Sequence, residues 1–167
     1  MNNPVVISLV SGQVSAIADG TTTRAYYAGL EHYDALLVLV NVTAAGTATG
    51  TVNLYLQDSW DGGTSWDDVL ASSNITLGST TGTQRFVIQG RIATSITQAS
   101  AVSNAALSVG TVRSGPFGDR VRLQEKVASA SGTPVGCTYS VTLIPLRGTN
   151  YSWRRLLQAS RLTFSPC

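Results

Sequence analysis

The feature that most constrains this fold is a series of short segments in which apolar and polar residues alternate, separated by clusters of Gly, Ser, Thr, Asn and Asp. Alternation places successive side chains on opposite faces of a strand, and many short strands with turn signals between them are typical of sandwiches and barrels. The first 150 residues contain no segment with a convincing helical period. We therefore predict an all-β fold, an antiparallel β-sandwich with a jelly-roll-like arrangement.

One predicted strand differs from the others because its first half is apolar on both faces. In the segment 35–43, Leu36 and Val38 alternate with Leu37 and Leu39. Strands with two apolar faces are buried on both sides, so this strand is expected to be central and covered by a loop or by a neighbouring subunit. The strands predicted along the chain are 5–10, 22–27, 35–43, 51–57, 65–70, 85–89, 92–96, 107–113, 120–127 and 137–143. A short turn containing Gly and Pro joins the last two, which predicts that they pair as a hairpin.

The chain divides into a predicted sandwich domain, residues 1–147, and a C-terminal arm or strap, residues 148–167. The end of the chain is rich in Arg and in large apolar residues and has no acidic residue. It is expected either to close one end of the sandwich or to dock on a neighbouring subunit, where Arg154 and Arg155 would pair with carboxylates.

The composition of the chain favours a protein that assembles with other subunits over a free monomer. Charged residues make up only 12% of the chain against 43% hydrophobic residues, and a sparsely charged surface tends to be covered by neighbours. The net charge of +2 does not predict nucleic-acid binding, and no run is apolar enough for a membrane-spanning helix. Ten of the eleven basic residues are Arg, the cation favoured in packed protein interfaces.

The segment Ser59-Trp60-Asp61-Gly62-Gly63-Thr64-Ser65-Trp66 resembles the Asp-box hairpin of sialidases and related propellers. In such a turn the Asp carboxylate accepts backbone N–H bonds, the Gly pair permits positive φ, and the Trp packs beneath the hairpin. Propellers carry several copies, whereas this short chain has one, so a sialidase-like enzyme is not expected. The hairpin is interpreted as a structural clamp made by Ser59, Asp61, Gly63, Ser65 and Trp66.

The sequence contains little that predicts catalysis. His32 is the only histidine, no nucleophile elbow is present, and no Gly-rich phosphate-binding loop precedes a helix. Four aspartates around the hairpin (Asp58, Asp61, Asp67 and Asp68) could in principle bind Ca²⁺, but a solvated acidic turn is preferred. Cys137 is predicted to be a buried thiol and Cys167 a loose terminal one. We predict a chain that is not an enzyme and carries no metal and no cofactor.

A broader resemblance spans residues 30–146. It rests on six motifs that follow one another in a fixed order. They are a Tyr-Asp-x-Leu strand (33–42), a Gly-Thr linker (46–50), a Leu-x-Leu-Gln strand (54–57), the Asp-box turn (59–66), a Gly-Asp-x-Val-Arg strand (118–122) and Ser-Gly-Thr-Pro (131–134) before the final strand. This order resembles small β-sandwich structural proteins of tailed bacteriophages. The resemblance implies a virion protein assembled in the host cytoplasm, most simply a capsid decoration or cement protein, or else a neck, tail or fibre-base component.

The implied partners are the major capsid protein or other virion proteins, and a homo-oligomer is expected, with a trimer favoured. The candidate interface residues are Leu37, Leu39, Arg120, Arg122, Trp153, Arg154, Arg155 and Arg161. A carbohydrate-binding module is the alternative of a different class, in which Trp60, Tyr55 and Trp66 would form a stacking surface.

Overall fold

The computed structural model describes residues 5–89, 107–113, 115–131 and 135–146. These residues form two antiparallel sheets packed face to face, which confirms the predicted β-sandwich. The described residues include no helix that could cross a membrane. The strands are β1 Ile7–Val14, β2 Gly20–Ala28, β3 Ala35–Ala44, β4 Thr49–Ser59, β5 Asp67–Ala71, β6 Ile75–Thr76, β7 Gly82–Gln89, β8 Arg120–Ser131 and β9 Thr138–Leu146.

Successive strands along the chain alternate between the two sheets, except that β4, β5 and β6 all lie in the same sheet. Sheet A has the order β1-β9-β3-β7, and sheet B has the order β2-β8-β4-β5, with β6 also pairing with β4. The predicted hairpin between the last two strands is therefore wrong, because β8 lies between β2 and β4 while β9 lies between β1 and β3. Because β8 and β9 lie in different sheets, each has a hydrogen-bonded neighbour on both sides. In a hairpin at the edge of one sheet, the outer strand would have only one such neighbour.

Strand β3 is covered on both faces, as its sequence predicts. Its inward side chains, including Leu36 and Val38, belong to the main core between the sheets. Leu37 and Leu39 point to the outer face of sheet A, where they pack with Ile144 and Leu146 of β9. These four side chains are between 1% and 6% exposed in a single chain. Coverage of the outer face therefore does not require a neighbouring subunit.

The predicted strand 107–113 is only partly formed. It runs along the open edge of β5, where Arg113 N donates to Val69 O and Ala71 N donates to Thr111 O, both at 2.9 Å. The segment forms a single β-bridge, between Leu70 and Val112, because residues 109 and 110 form a turn. The predicted strand 92–96 and the arm 148–167 lie outside the described residues.

A buried carboxylate joins the two sheets. Glu125 of β8 is fully buried and accepts hydrogen bonds from Arg24 at 2.6 Å, from the Tyr139 hydroxyl at 2.6 Å and from Ala16 N at 2.7 Å. The pKa of Tyr139 is raised far above its ordinary range, mainly because the hydroxyl is buried and also because it donates to Glu125. A buried charge is tolerated when it is paired and its lone pairs are satisfied, and Glu125 meets both conditions.

Strand β2 contains a bulge at Arg24, the residue that binds Glu125. In the pairing with β8, Thr23 lies opposite Gln124 and Ala25 lies opposite Leu123, so Arg24 is an extra residue. A bulge of this kind locally re-aims a side chain. Arg24 lies toward the interior, and the extra residue returns Tyr26 to the outer face, opposite Arg122.

Candidate functional site

The Asp-box turn between β4 and β5 is held by one carboxylate. Asp61 accepts hydrogen bonds from Thr64 N at 3.0 Å, from Ser65 N at 2.9 Å and from the Ser59 hydroxyl at 2.8 Å. The Ser65 hydroxyl adds a further bond at 2.5 Å. These bonds hold the pKa of Asp61 well below its ordinary value of 3.8. The carboxylate acts within the turn, as the resemblance to Asp-box hairpins predicts.

The glycines of the hairpin allow Trp66 to fold back onto it. Gly62 and Gly63 have φ values of 71° and 98°, a region that other residues rarely adopt. A Cβ atom on Gly63 would lie only 3.2 Å from the Trp66 ring, so the ring rests directly on this glycine. The indole Nε1 of Trp66 donates to Gly63 O at 2.9 Å. The tryptophan is thereby fixed in one orientation.

A row of polar side chains crosses the outer face of sheet B next to this hairpin. The strand register aligns Tyr26 with Arg122, Arg122 with Gln57, and Gln57 with Asp68. Arg122 Nε donates to Gln57 Oε1 at 2.7 Å, and Gln57 Nε2 donates to Asp68 Oδ1 at 2.5 Å. Asp68 also accepts from Leu107 N at 2.9 Å. One edge of the Arg122 guanidinium is therefore fixed by the sheet.

The face of the same guanidinium lies over the ring of Trp66. The distance from the Arg122 Cζ to the ring centroid is 4.5 Å, within the range of cation–π attraction. The Tyr26 ring lies 5.9 Å from the Trp66 ring, tilted by 55°. Burial lowers the pKa of Arg122, but an arginine remains charged at neutral pH.

These groups line an open pocket of about 450 Å³, which we call the Arg–Trp pocket. Its lining residues are Tyr26, Tyr27 and Ala28 of β2, Gly62, Gly63 and Trp66 of the hairpin, and Arg120 and Arg122 of β8. None of them is acidic. The Arg120 side chain is 56% exposed, and its nearest carboxylate is that of Asp119, 3.9 Å away. The pocket thus combines two cations with aromatic rings, a set that binds anions and planar groups.

The structure brings some of the predicted site residues together and separates others. Arg120 and Arg122 join Gly63 and Trp66 at the Arg–Trp pocket. Leu37 and Leu39 lie on the outer face of the other sheet. Trp153, Arg154, Arg155 and Arg161 lie outside the described residues.

The prediction that Trp60, Tyr55 and Trp66 form one carbohydrate-stacking surface is wrong. Trp60 is 60% exposed, but Tyr55 is only 4% exposed because it packs with Ala71 and Leu107. One face of Trp66 is occupied by Arg122. The three rings therefore do not form a common platform for a sugar.

The acidic residues near the hairpin are used inside the fold. Asp58 is buried, where it accepts from Arg113 at 2.9 Å and from Gly118 N at 3.2 Å. Burial raises the pKa of Asp58, and the Arg113 charge opposes that rise. Within the described ranges, no three acidic, His or Cys side chains converge as a metal site would require. His32 is exposed beside Glu31, and Cys137 is buried as predicted.

Two members of the site, Tyr26 and Gln57, were not predicted from the sequence. Tyr26 lies in a strand whose alternation is broken at Arg24, and Gln57 reads as an ordinary surface residue at a strand end. The available signal was the position of Gln57 just before the Asp-box.

A scan against protein-family models and searches of the curated proteins and of the solved structures return no match to this chain.

Proposed function

We propose that this chain is a non-enzymatic structural protein of a tailed-phage virion, most simply one that decorates the capsid shell and stabilises contacts between major capsid subunits. The observation that carries the proposal is the set of exposed aromatic and Arg side chains around the Asp-box end of the sandwich. Tyr26 is 66% exposed, Trp60 60% and the Arg120 side chain 56%. Trp, Tyr and Arg are the residues that dominate binding energy at protein interfaces.

The surface is suited to binding because its support is rigid. The Asp61 hydrogen bonds fix the hairpin, and Gln57 and Trp66 fix Arg122. Little conformational entropy is then lost when a partner binds. If a partner covers roughly 100 Å² on each of Tyr26 and Trp60, burial contributes about 2–3 kcal/mol per ring, at about 25 cal/mol per Å². Pairs between the Arg side chains and carboxylates of the partner would fix its register.

Two features of the sequence support an assembly role. Only 12% of the residues are charged, which is low for a protein that must stay dispersed alone. The order of strand and turn motifs over residues 30–146 resembles that of phage structural sandwiches.

The test is calorimetry of capsids that lack decoration, mixed with the purified full-length chain. We expect binding and a higher melting temperature of the capsid. A double variant, Tyr26→Ser with Trp60→Ser, should lose most of this effect, because it removes both exposed rings, neither of which belongs to the buried core. Val6→Ser is the matched control, since Val6 is 52% exposed and lies outside the cluster.

No binding to any undecorated capsid would refute the decoration role. A double variant that stabilises capsids as well as the unchanged chain does would refute the assignment of this surface.

A further inference from the structure

We infer that the Arg–Trp pocket receives the carboxylate of an acidic side chain, presented by an extended segment of a protein partner that lies along the open edge of β2. This inference rests on the proposed function, because it names the partner chemistry for the same surface. It is carried by the charge of the pocket, by the fixed orientation of Arg122 and by the outer edge of β2, with which no described strand pairs.

The charge of the pocket selects an anion. Arg120 and Arg122 both line it, and no acidic residue does. Asp119 is the carboxylate nearest to Arg120, and at 3.9 Å between exposed groups this contact is weak. Asp61 is occupied by hydrogen bonds within the turn, and Asp68, whose charge also attracts Arg122, lies beyond Gln57 in the sheet. An incoming carboxylate therefore meets two guanidinium groups and no nearby competing anion among the lining residues.

The orientation of Arg122 is set before any ligand arrives. Arg122 is held at its edge by Gln57 and on its face by Trp66, while the Arg120 side chain extends over Gly63. A guanidinium that is already oriented loses less entropy on forming a paired hydrogen bond than a freely rotating one. Tyr26 adds an exposed ring at the mouth, against which the aliphatic part of an acidic side chain can pack.

The neighbouring edge of β2 favours a protein segment over a sugar or a free anion. Among the described strands, β2 pairs with β8 on one side only. Its other side presents backbone N–H and C=O groups that an added strand can pair with. A residue opposite Tyr26 on such a strand would project over the same face as Arg122. It would lie about 10 Å from β8, a span that the Glu and Arg side chains cover together.

The experiment is a titration of the full-length, ¹⁵N-labelled chain with the capped peptide Thr-Val-Glu-Val-Thr, followed by NMR. We expect shifts of the Trp66 indole N–H and of the β2 amides, with a dissociation constant on the order of millimolar for so short a probe. The same peptide with Gln in place of Glu should bind about fivefold or more weakly. Added salt should weaken binding of the Glu peptide.

Arg120→Gln should reduce affinity for the Glu peptide about fivefold without unfolding the chain, since this side chain is largely exposed. Arg85→Gln is the matched control, because Arg85 is exposed on β7 of the other sheet and should leave binding unchanged. The inference is overturned if the Glu peptide shifts neither Trp66 nor β2, or if Arg120→Gln binds it as tightly as the unchanged chain. It is also overturned if glucuronate or inorganic phosphate binds the pocket as tightly as the peptide.

The results separate this inference from the proposed function. A chain that stabilises capsids but does not bind the Glu peptide refutes only the inference. A chain that binds the peptide at the pocket but never binds capsids refutes only the decoration role.

Discussion

Replacing Glu125 by Gln should destabilise the whole sandwich, although the two side chains have nearly the same shape. The change removes the charge that holds Arg24 and weakens the bonds from the Tyr139 hydroxyl and from Ala16 N. An amide can keep an oxygen toward Arg24 and Ala16 and can donate its NH₂ to the Tyr139 oxygen, so the loss is smaller than complete removal of a partner. Breaking a buried pair by removing one partner costs about 3–5 kcal/mol, so we expect about 2–4 kcal/mol for this substitution.

This loss is large enough to measure by thermal and urea unfolding. At about 2–4 °C per kcal/mol for a chain of this size, the melting temperature should fall by roughly 5–15 °C. The slope of the urea transition should not change, because the native fold is retained. Glu31→Gln is the matched control. Glu31 is the only other glutamate and is exposed beside His32, so its replacement should change stability by less than about 0.5 kcal/mol.

A double variant shows where the cost arises. If the unpaired Arg24 charge is responsible, adding Arg24→Met to Glu125→Gln should recover part of the lost stability. The reasoning would be refuted if Glu125→Gln were as stable as Glu31→Gln, because Glu125 would then not join the sheets energetically.

Three further outcomes follow from the turn, from a close backbone contact and from the predicted assembly. Since folding lowers the pKa of Asp61, its stabilisation is present above the ordinary value of 3.8 and is lost as pH falls below it. The protection of the hairpin amides against exchange, measured relative to their intrinsic rates at each pH, should therefore fall in acid, and Asp61→Asn should remove that pH dependence. A Cβ on Gly118 would overlap the backbone oxygen of Ser59, so Gly118→Ala should lower the free energy of unfolding by about 2–4 kcal/mol in urea, whereas Gly115→Ala, with open space around it, should not. Native mass spectrometry should find trimers if the chain decorates the shell, and six-fold rings would point to the tail instead.

The alternation of apolar residues predicted most of the strands but not their partners. Segments 35–43 and 51–57 lie within observed strands, and 137–143 does so except for its first residue, since a half-buried strand needs apolar side chains on one face. The same alternation does not determine which sheet a strand joins. A short turn with Gly and Pro between β8 and β9 fits a crossing between layers as well as a hairpin, which is why that pairing was predicted wrongly.

The candidate site was only half predictable for the same reason. The Asp-box motif identified Asp61 and Trp66, because their partners lie within a few residues in sequence. The contacts of Arg122 depend on the register of four strands, and no local pattern specifies that register. Glu125 was not singled out, although alternation places it on the same face as the apolar Leu123 and Val127, because no local pattern identifies the distant partners that would satisfy a buried carboxylate.

The extra residue in β2 has a consequence for how this protein can change over time. In a regular strand, deleting one residue inverts the side on which every later side chain lies. A bulge is an exception, because its extra residue has no partner of its own on the neighbouring strand. Deleting Arg24 would remove the partner of Glu125 but would leave Ala25 opposite Leu123 and Tyr26 opposite Arg122. The interior ion pair can therefore be lost from β2 while the wall of the pocket keeps its place.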